Sequence, residues 1–226
     1  MCPRPSTNCC SPSTAGPDLR RWSAVCARAG ATQGVTAAYD ALAIAYATPP
    51  RAYHNLAHIT ACLSEFDTIR GEAADPVAVE FAIWFHDAVY DSKASDNEAR
   101  SAQLAVQTLA CMGIAGQTPH TAAELVLLTR HDRIPPTLDG QVVIDVDLAI
   151  LGQPSEVYDT YEAAVRREYS WVTDREFRTG RARFIETMLA RPRIFFTDAC
   201  HGKYETRARA NLQHALTRIT ALAASA

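Results

Sequence analysis

The segment that decides the fold is PVAVEFAIWFHDAVY, residues 76 to 90, in which nearly every residue up to Phe85 is apolar. Asp75 and Pro76 are typical of a helix N-cap and of the first helical position. A helix that is apolar on all of its faces has to be buried. We therefore predict that this segment forms the central helix of the core, with the ionisable pair His86-Asp87 at its end.

The rest of the chain is predicted to be helical as well, because apolar residues recur at three- and four-residue spacing from Asp18 onward. The breaks between helices fall at Gly30, Gly34, Pro49-Pro50, Gly113 and Pro135-Pro136. The apolar stretch VVIDVDLAILG, residues 142 to 152, fits either a helix or a buried strand; its helical neighbours favour a helix. Thr173 and Glu176 form a capping-box signature. We predict one all-α domain, residues 18–226, behind a disordered Pro/Ser/Thr-rich tail, residues 1–17.

The composition is that of a globular protein: 226 residues, 48% apolar and 21% charged, with a formal net charge of −3. This charge favours neither nucleic acid nor anionic lipid as a partner. There is no apolar run of about 18 residues and no apolar signal core at the start, so we expect a cytoplasmic chain. The seven cysteines contain no C-x-x-C pair, which favours free thiols. Cys9 and Cys10 could hold a metal, but a disordered tail is the favoured interpretation.

Three groups of ionisable residues lie within apolar helical segments. In RAYHNLAHI, His54 and His58 are four residues apart and are expected to face the same side of a helix. His86-Asp87 follows the central helix, and Asp145 and Asp147 interrupt the apolar stretch. Each group alone is explained by a hydrogen-bonded histidine or a helix cap, but burying all of them needs a compensating charge. Two imidazoles and two carboxylates together are typical of a divalent-cation site with positions left for water and substrate.

The order His58, His86-Asp87, Asp147 resembles the HD superfamily of metal-dependent phosphohydrolases, whose ligands are His, His-Asp and Asp on an all-helical fold. Over residues 51–212 the chain is similar to a bacterial group of small predicted HD-domain phosphohydrolases, in the strings YHNLAHI, WFHDAVYD, NEARSA, DVDLAILG, YDTYEAAVRREY and ETRARANL. The resemblance implies a helical HD domain that hydrolyses a phosphate ester, a nucleotide being one option. It implies a divalent metal ion held by His58, His86, Asp87 and Asp147, without distinguishing Mn, Mg, Zn, Fe, Ni or Co.

The pattern YHNLAH is also similar to the Y-H-N-x-x-H motif of cyclic nucleotide phosphodiesterases, relatives within the same superfamily. In those enzymes the later histidine binds metal and the earlier one protonates the leaving oxygen. The similarity implies that His58 is a ligand and that His54 is the general acid. The rest of the phosphodiesterase domain, including its purine-gripping glutamine region, has no counterpart in this chain, so cyclic nucleotide specificity is not carried over.

The last metal ligand is predicted to be Asp147 rather than Asp145. Residues i and i+2 of a helix point well apart, so only one of them can face the site. The superfamily's last aspartate usually precedes leucine, as Asp147 precedes Leu148. Asp145 is then a helix cap or a hydrogen-bond partner of a ligand histidine.

The predicted catalytic group consists of His54, Asp87 and Glu98. Glu98, in NEARSA, either hydrogen-bonds a ligand or a bound water or is a first-turn acid that the helix dipole favours. For Glu98, a functional role and a structural role at the helix start are therefore both open.

The predicted substrate-binding residues are Arg51, Arg130, His131 and Lys93. Arg51 is the best candidate for holding phosphate, because a guanidinium offers a planar fork to phosphate oxygens, and Arg130 and Lys93 follow. His131 ends an apolar helix, where it contacts phosphate, completes a second metal site or caps the last carbonyls. The aromatic residues between positions 158 and 171 recur at helical spacing and are predicted to be core or groove wall.

Two other functions stay open from the sequence. An oxygenase branch of the HD superfamily uses two irons and extra histidines between His86-Asp87 and Asp147, where this chain has only His120 and His131. A non-catalytic HD fold could sense a nucleotide or contact another protein. We expect a small phosphorylated substrate as partner, with no membrane and no nucleic-acid polymer, and the sequence is compatible with a homo-oligomer.

Overall fold

The computed structural model describes residues 17–224, and every regular element in that range is helical. Short 3-10 turns follow α3 and α7 at Arg70–Glu72 and Ala149–Gly152. The ten α-helices are α1 (Pro17–Arg28), α2 (Val35–Ala47), α3 (Leu56–Ile69), α4 (Pro76–Phe85), α5 (Asn97–Cys111), α6 (Thr118–Leu128), α7 (Leu138–Leu148), α8 (Ser155–Glu168), α9 (Asp174–Leu189) and α10 (Asp198–Ala224). The all-α prediction is confirmed for these residues, and the stretch 142–152 is a helix with a 3-10 turn. The predicted disordered tail falls outside the described residues as far as residue 16.

The predicted capping signals are present at two helix starts. The Asp75 side chain accepts hydrogen bonds from the amides of Val77 and Ala78, with Pro76 in the first turn. At α9, Thr173 and Glu176 cap each other's backbone in a complete capping box. Such caps satisfy amides that have no partner inside the helix, so these two boundaries could be predicted locally.

Helix α4 is the centre of the core, as predicted. Its residues from Ala78 to Phe85 are all buried, and it packs against α1, α3, α5, α6 and α7. Trp22 of α1 meets Trp84 edge to face, with ring centroids 5.6 Å apart. Burial of each such large side chain contributes roughly 1.5–3 kcal/mol. The end of α4, where His86 follows, is therefore held on nearly every side.

One charged residue, Glu80, lies inside this apolar helix and is buried. Its carboxylate accepts hydrogen bonds from three guanidinium groups, those of Arg21 at 3.1 Å, Arg28 at 2.6 Å and Arg70 at 2.8 Å. A buried carboxylate is tolerated when its charge and its lone pairs are both satisfied. This cluster ties α1 and the end of α3 to the central helix.

The C-terminal helices fix the far end of α7. Helix α10 packs against α9 and against the 3-10 turn Ala149–Gly152. A side chain at Gly152 would meet Tyr204 at 2.5 Å, so this close approach requires glycine. Asn211 donates hydrogen bonds to the carbonyls of Leu151 (2.8 Å) and Gln153 (2.9 Å). The last turn of α7, which carries Asp147, is positioned by these contacts.

Two coarse predictions can be compared with the described residues. None of the helices between residues 17 and 224 combines the length and the apolar composition that a membrane span needs. Cys26, Cys62, Cys111 and Cys200 are free thiols, in agreement with the prediction for these four positions. Cys9 and Cys10 lie outside the described residues.

Candidate metal centre

The four predicted ligands lie at the ends of three helices that meet in the core. His58 is in the first turn of α3, where Asn55 accepts hydrogen bonds from the amides of Ala57 and His58 as N-cap. His86 is the C-cap residue of α4, and Asp87 follows it. Asp147 is in the last turn of α7. Because the four residues lie at helix ends, their side chains can meet in the core without a polar stripe along any of the three helices.

The ligand atoms of this cluster are close enough to share one ion. His58 Nε2 lies 3.1 Å from His86 Nε2, and Asp147 Oδ1 lies 3.2 Å and 3.5 Å from these two nitrogens. With metal–ligand bonds of about 2.0–2.2 Å, neighbouring ligand atoms around one ion are roughly 2.8–3.6 Å apart. His58, His86 and Asp147 therefore form a buried group that could hold a metal ion.

The fourth predicted ligand, Asp87, also lies next to the two histidines. Its Oδ2 atom is 3.2 Å from His86 Nε2 and 3.6 Å from His58 Nε2. Both distances fall in the range expected for ligands of a common ion. Asp87 therefore stays a predicted ligand, and its geometry supports that role.

The chemistry of the donor set also fits a cation. His86 Nδ1 lies 2.9 Å from the carbonyl oxygen of Ile83, so the Nδ1–H donates there and Nε2 presents its lone pair to the cluster. Burial lowers the pKa of His86, but the carboxylates of Asp87 and Asp147 more than reverse this and hold it well above its ordinary value. The same negative field that favours a proton at this position favours a divalent cation between the four groups.

Asp145 does not join the cluster. It is fully buried, and its carboxylate accepts hydrogen bonds from the amides of Phe196 and Thr197 and from Thr197 Oγ1, all at 2.7 Å. Burial raises the pKa of Asp145 to about 6, against the opposing effect of these hydrogen bonds. Asp145 thus caps the turn before α10, while Asp147 faces the two histidines. Of the two roles predicted for Asp145, the structure gives it the capping one.

His54 is not on the same helix as His58, so the predicted helical i, i+4 arrangement was wrong. The side chain of Asn55 caps α3 and the helix begins only at Leu56, which leaves His54 in the preceding turn. The two imidazole rings are nevertheless near each other, with centroids 6.2 Å apart. The orientation of His54 comes from a residue that the sequence analysis did not identify.

That residue is Glu168, the last residue of α8, whose side chain is fully buried. Its Oε2 atom lies 2.5 Å from His54 Nδ1 and accepts a hydrogen bond from the Tyr90 hydroxyl at 3.0 Å. Its Oε1 atom accepts hydrogen bonds from the amides of Ala52 (2.7 Å), Tyr53 (2.7 Å) and His54 (3.0 Å). One signal was available in the sequence: a carboxylate at a helix C-terminus is disfavoured by the helix dipole and needs a partner elsewhere.

The pKa values of this pair are shifted in opposite directions. Burial raises the pKa of Glu168, but the hydrogen bond and charge of His54 and the backbone amides outweigh it and lower the pKa from 4.5 to about 2. Burial lowers the pKa of His54, but the nearby carboxylates of Asp87 and Glu168 raise it above its ordinary value overall. An imidazolium at His54 beside an ionised Glu168 is the charge state that these contacts favour.

We predict that Glu168 makes the protein's stability depend on pH below neutrality. Because its folded pKa of about 2 lies below the ordinary 4.5, its contribution is complete above pH 4.5 and is lost as the pH falls towards 2. A difference of this size corresponds to at most about 3 kcal/mol. The measurement is the difference in unfolding free energy between the natural protein and Glu168→Gln from pH 7 down to pH 3. A constant difference over that range would contradict the prediction.

The guanidinium of Arg51 is bonded to backbone carbonyls within the site. Its guanidinium donates hydrogen bonds to the carbonyls of His54 (2.8 Å), Asp87 (2.7 Å) and Ala88 (3.0 Å). It also lies over the ring of Tyr46, 5.1 Å from the centroid. These bonds tie the turn of His54 to the residues after α4. Three of the five N–H groups of the guanidinium are thus engaged by backbone carbonyls, and the predicted contact of Arg51 with phosphate stays a prediction.

A cavity of about 640 Å³ opens beside the cluster. Its polar end contains His54, His86, Asp87, His131 and Asp147. Its other walls are largely aromatic, and they include Tyr53, Tyr90, Tyr161, Tyr169, Trp171, Phe177 and Phe184. The predicted groove-wall role is thus observed for three of the aromatic residues between positions 158 and 171. Tyr158 is in the core instead.

The remaining predicted site residues are distributed unevenly around this cavity. Glu98 and Arg130 line it. His131 is at the metal cluster, with Nε2 3.0 Å from Asp147 Oδ2, so this nitrogen is engaged by a predicted ligand. Lys93 is exposed, with its Nζ 5.6 Å from the centroid of the Trp171 ring. Arg130 is therefore the predicted phosphate-binding cation that the structure leaves next to the cavity.

No family model, curated protein or solved structure matches the chain. The fold and the site define an all-α protein with a buried His/His/Asp cluster that could bind a metal ion. Membership of the HD superfamily stays a prediction, which rests on the sequence motifs.

Proposed function

We propose that the chain is a metal-dependent phosphohydrolase of the HD type that cleaves a small phosphate ester. The observation that carries the proposal is the convergence of two imidazole nitrogens and two carboxylate oxygens, with contacts between 3.1 and 3.6 Å, at one end of a cavity. His58, His86, Asp87 and Asp147 are the proposed ligands. A histidine paired with a buried carboxylate lines the same end of the cavity.

A divalent cation held by these four residues would supply a Lewis acid for a phosphoryl oxygen and would lower the pKa of a bound water to roughly 7. His54 completes the reaction as general acid. Its Nδ1 is engaged by Glu168, so the proton available for transfer is the one on Nε2, which can go to the leaving oxygen. The Glu168 carboxylate favours the imidazolium and fixes its orientation. Protonation of this kind contributes about 10² to 10⁴ in rate.

The walls of the cavity account for binding and for exclusion of water. Tyr161, Tyr169 and Phe177 offer apolar faces to the part of the substrate beyond the phosphate. Glu98, in the first turn of α5, lines the cavity, where its carboxylate can accept a hydrogen bond from a water or from the substrate. Arg130 provides positive charge for phosphate oxygens at the cavity mouth.

We predict that Arg130→Ala weakens substrate binding without removing the metal. The side chain is half exposed and lies 3.4 Å from Asp132, so the expected loss is modest, about 1 kcal/mol or roughly fivefold in kcat/KM. Most of the change should be in KM. Arg133→Ala, an exposed arginine in the same loop, is the matched control. Equal effects of the two variants would argue against a specific contact of Arg130 with phosphate.

The test of the proposed function is a phosphatase assay on metal-stripped protein reloaded with Mn²⁺, Mg²⁺, Zn²⁺, Fe²⁺, Ni²⁺ or Co²⁺. The panel contains generic phosphate esters and nucleotides, and His58→Ala is the control. Phosphate release that depends on metal and disappears in the control is the expected result. Tight binding of a nucleotide without turnover under any metal would overturn the hydrolase proposal in favour of a sensing module.

A di-iron oxygenase is the less favoured alternative. The reason is where the two histidines between His86 and Asp147 lie and what they contact. His120 is exposed near the start of α6, away from the cluster. His131 contacts Asp147. One nearby histidine offers fewer extra ligands than a second iron requires, which supports hydrolysis as the proposed chemistry.

A further inference from the structure

His131 has a backbone conformation that is uncommon for a non-glycine residue. Its φ angle is 57°, and it is the only non-glycine residue between 17 and 224 with a positive φ. The left-handed region is unfavourable for a residue with a Cβ atom; glycine is the usual occupant, and asparagine, aspartate and histidine are the non-glycine residues found there most often. This conformation fixes the direction in which the side chain of His131 leaves the backbone.

The contacts of His131 hold it in this conformation and direct its ring to the metal cluster. Its amide donates a hydrogen bond to the carbonyl of Leu128 at 3.1 Å. Its carbonyl accepts a hydrogen bond from the guanidinium of Arg191. With both backbone groups engaged, the imidazole extends to Asp147, where Nε2 lies 3.0 Å from Oδ2.

The surroundings of the ring decide which nitrogen carries the proton. His131 Nδ1 is buried and has no hydrogen-bond partner among the described residues. A proton on Nδ1 would be a buried donor without an acceptor, whereas a proton on Nε2 can be donated to the carboxylate of Asp147. The favoured tautomer is thus Nε2–H, and the hydrogen bond occupies Oδ2 of Asp147. The other oxygen, Oδ1, faces His58 and His86 at 3.2 Å and 3.5 Å.

We propose that His131 is a positioning residue that makes Asp147 bind the metal through a single oxygen. This inference rests on the proposed metal site. An aspartate without such a partner can rotate and chelate the ion through both oxygens, which fills one further coordination position. By holding Oδ2, His131 keeps that position available for water or substrate. Hydrogen bonds to ligating carboxylates typically change metal affinity by 10- to 100-fold when they are removed.

The test uses the full chain loaded with Co²⁺ and does not depend on turnover. Three variants are compared with the natural protein: His131→Gly, His131→Gln and, as the matched control, His120→Ala. The readouts are the Kd for Co²⁺, the visible absorption of the bound ion, which weakens as the coordination number rises, and the midpoint of denaturant unfolding without metal. Glycine relieves the backbone strain, so the unfolding midpoint of His131→Gly should not fall.

The expected result separates stability from metal binding. His131→Gly should raise the Kd about 10- to 100-fold and weaken the absorption, while His131→Gln, which retains a donor, should recover part of both, and His120→Ala should change neither. If His131→Gly binds Co²⁺ with unchanged affinity and spectrum, the positioning role is wrong although the metal site stands. If the natural protein binds no Co²⁺, the metal site itself is wrong, and the inference fails with it.

Discussion

Replacement of Asp147 with asparagine is expected to abolish metal binding and turnover together while the fold is retained. Asp147 is the proposed ligand whose Oδ1 lies 3.2 Å and 3.5 Å from the Nε2 atoms of His58 and His86. An amide keeps the shape of the side chain but removes the negative charge that helps to hold the cation. The affinity loss should exceed the 10- to 100-fold typical of losing an outer hydrogen-bond partner. Calorimetric titration with Mn²⁺ or Co²⁺ measures it directly.

Asp145→Asn is the matched control for this substitution, because Asp145 is also buried and lies two residues away on the same helix. Its two oxygens accept from the amides of Phe196 and Thr197, and an asparagine would turn one acceptor into a donor that faces an amide. We expect a loss of about 1–3 kcal/mol in unfolding free energy, with metal still bound. If Asp145→Asn lost metal and Asp147→Asn kept it, the assignment of the last ligand would be reversed.

The second large effect is expected at His54. His54→Ala should retain the bound metal, because no ligand is removed, but slow turnover by about 10² to 10⁴ through loss of leaving-group protonation. The size of the loss should depend on the substrate. An ester whose leaving group departs readily as an anion, such as p-nitrophenolate, needs little protonation and should be affected much less than an alkyl phosphate.

Two measurements check this interpretation of His54. Metal content of the variant, determined on the same sample as turnover, should equal that of the natural protein; parallel loss of both would contradict the separation between acid and ligand. A second variant, Glu168→Gln, should show a smaller defect in the same direction, because it leaves the imidazole in place but removes the carboxylate that orients it. An equal deficit for all leaving groups would also count against a general acid.

The helices could be predicted because their signals are local, and the residues of the candidate metal-binding cluster because they are ionisable groups in apolar segments that match the HD motif. The apolar run before His86 can only be a buried helix, and charged residues beside such a run need compensation wherever the chain places them. The side chains of Asp75 and Thr173 accept hydrogen bonds from amides in the first turns of their own helices. A few neighbouring residues are therefore enough to predict where these two helices begin. Helix geometry predicted that only one of Asp145 and Asp147 can face the site, and the choice of Asp147 came from the resemblance to the HD superfamily, whose last aspartate usually precedes leucine.

The environment of His54 could not be predicted, because its partner Glu168 is distant in the chain. The spacing of His54 and His58 suggested one helix, but Asn55 caps α3, so the helix begins at Leu56, two residues after His54. The contacts of Arg51 could not be predicted for a related reason. Its charge suggested phosphate, whereas the carbonyls that follow α4 at Asp87 and Ala88 compete for the same guanidinium. A sequence pattern does not show which backbone carbonyls at a helix end will accept a hydrogen bond from a distant side chain.

The long separation between His54 and Glu168 has a consequence for how the site matures. All four proposed ligands are synthesised by residue 147, but the carboxylate that aligns His54 follows only at the end of α8. On the ribosome, the nascent chain therefore contains all four proposed ligands before it contains the carboxylate that orients His54. The orientation of His54 thus depends on α8, a helix that contributes none of the proposed ligands.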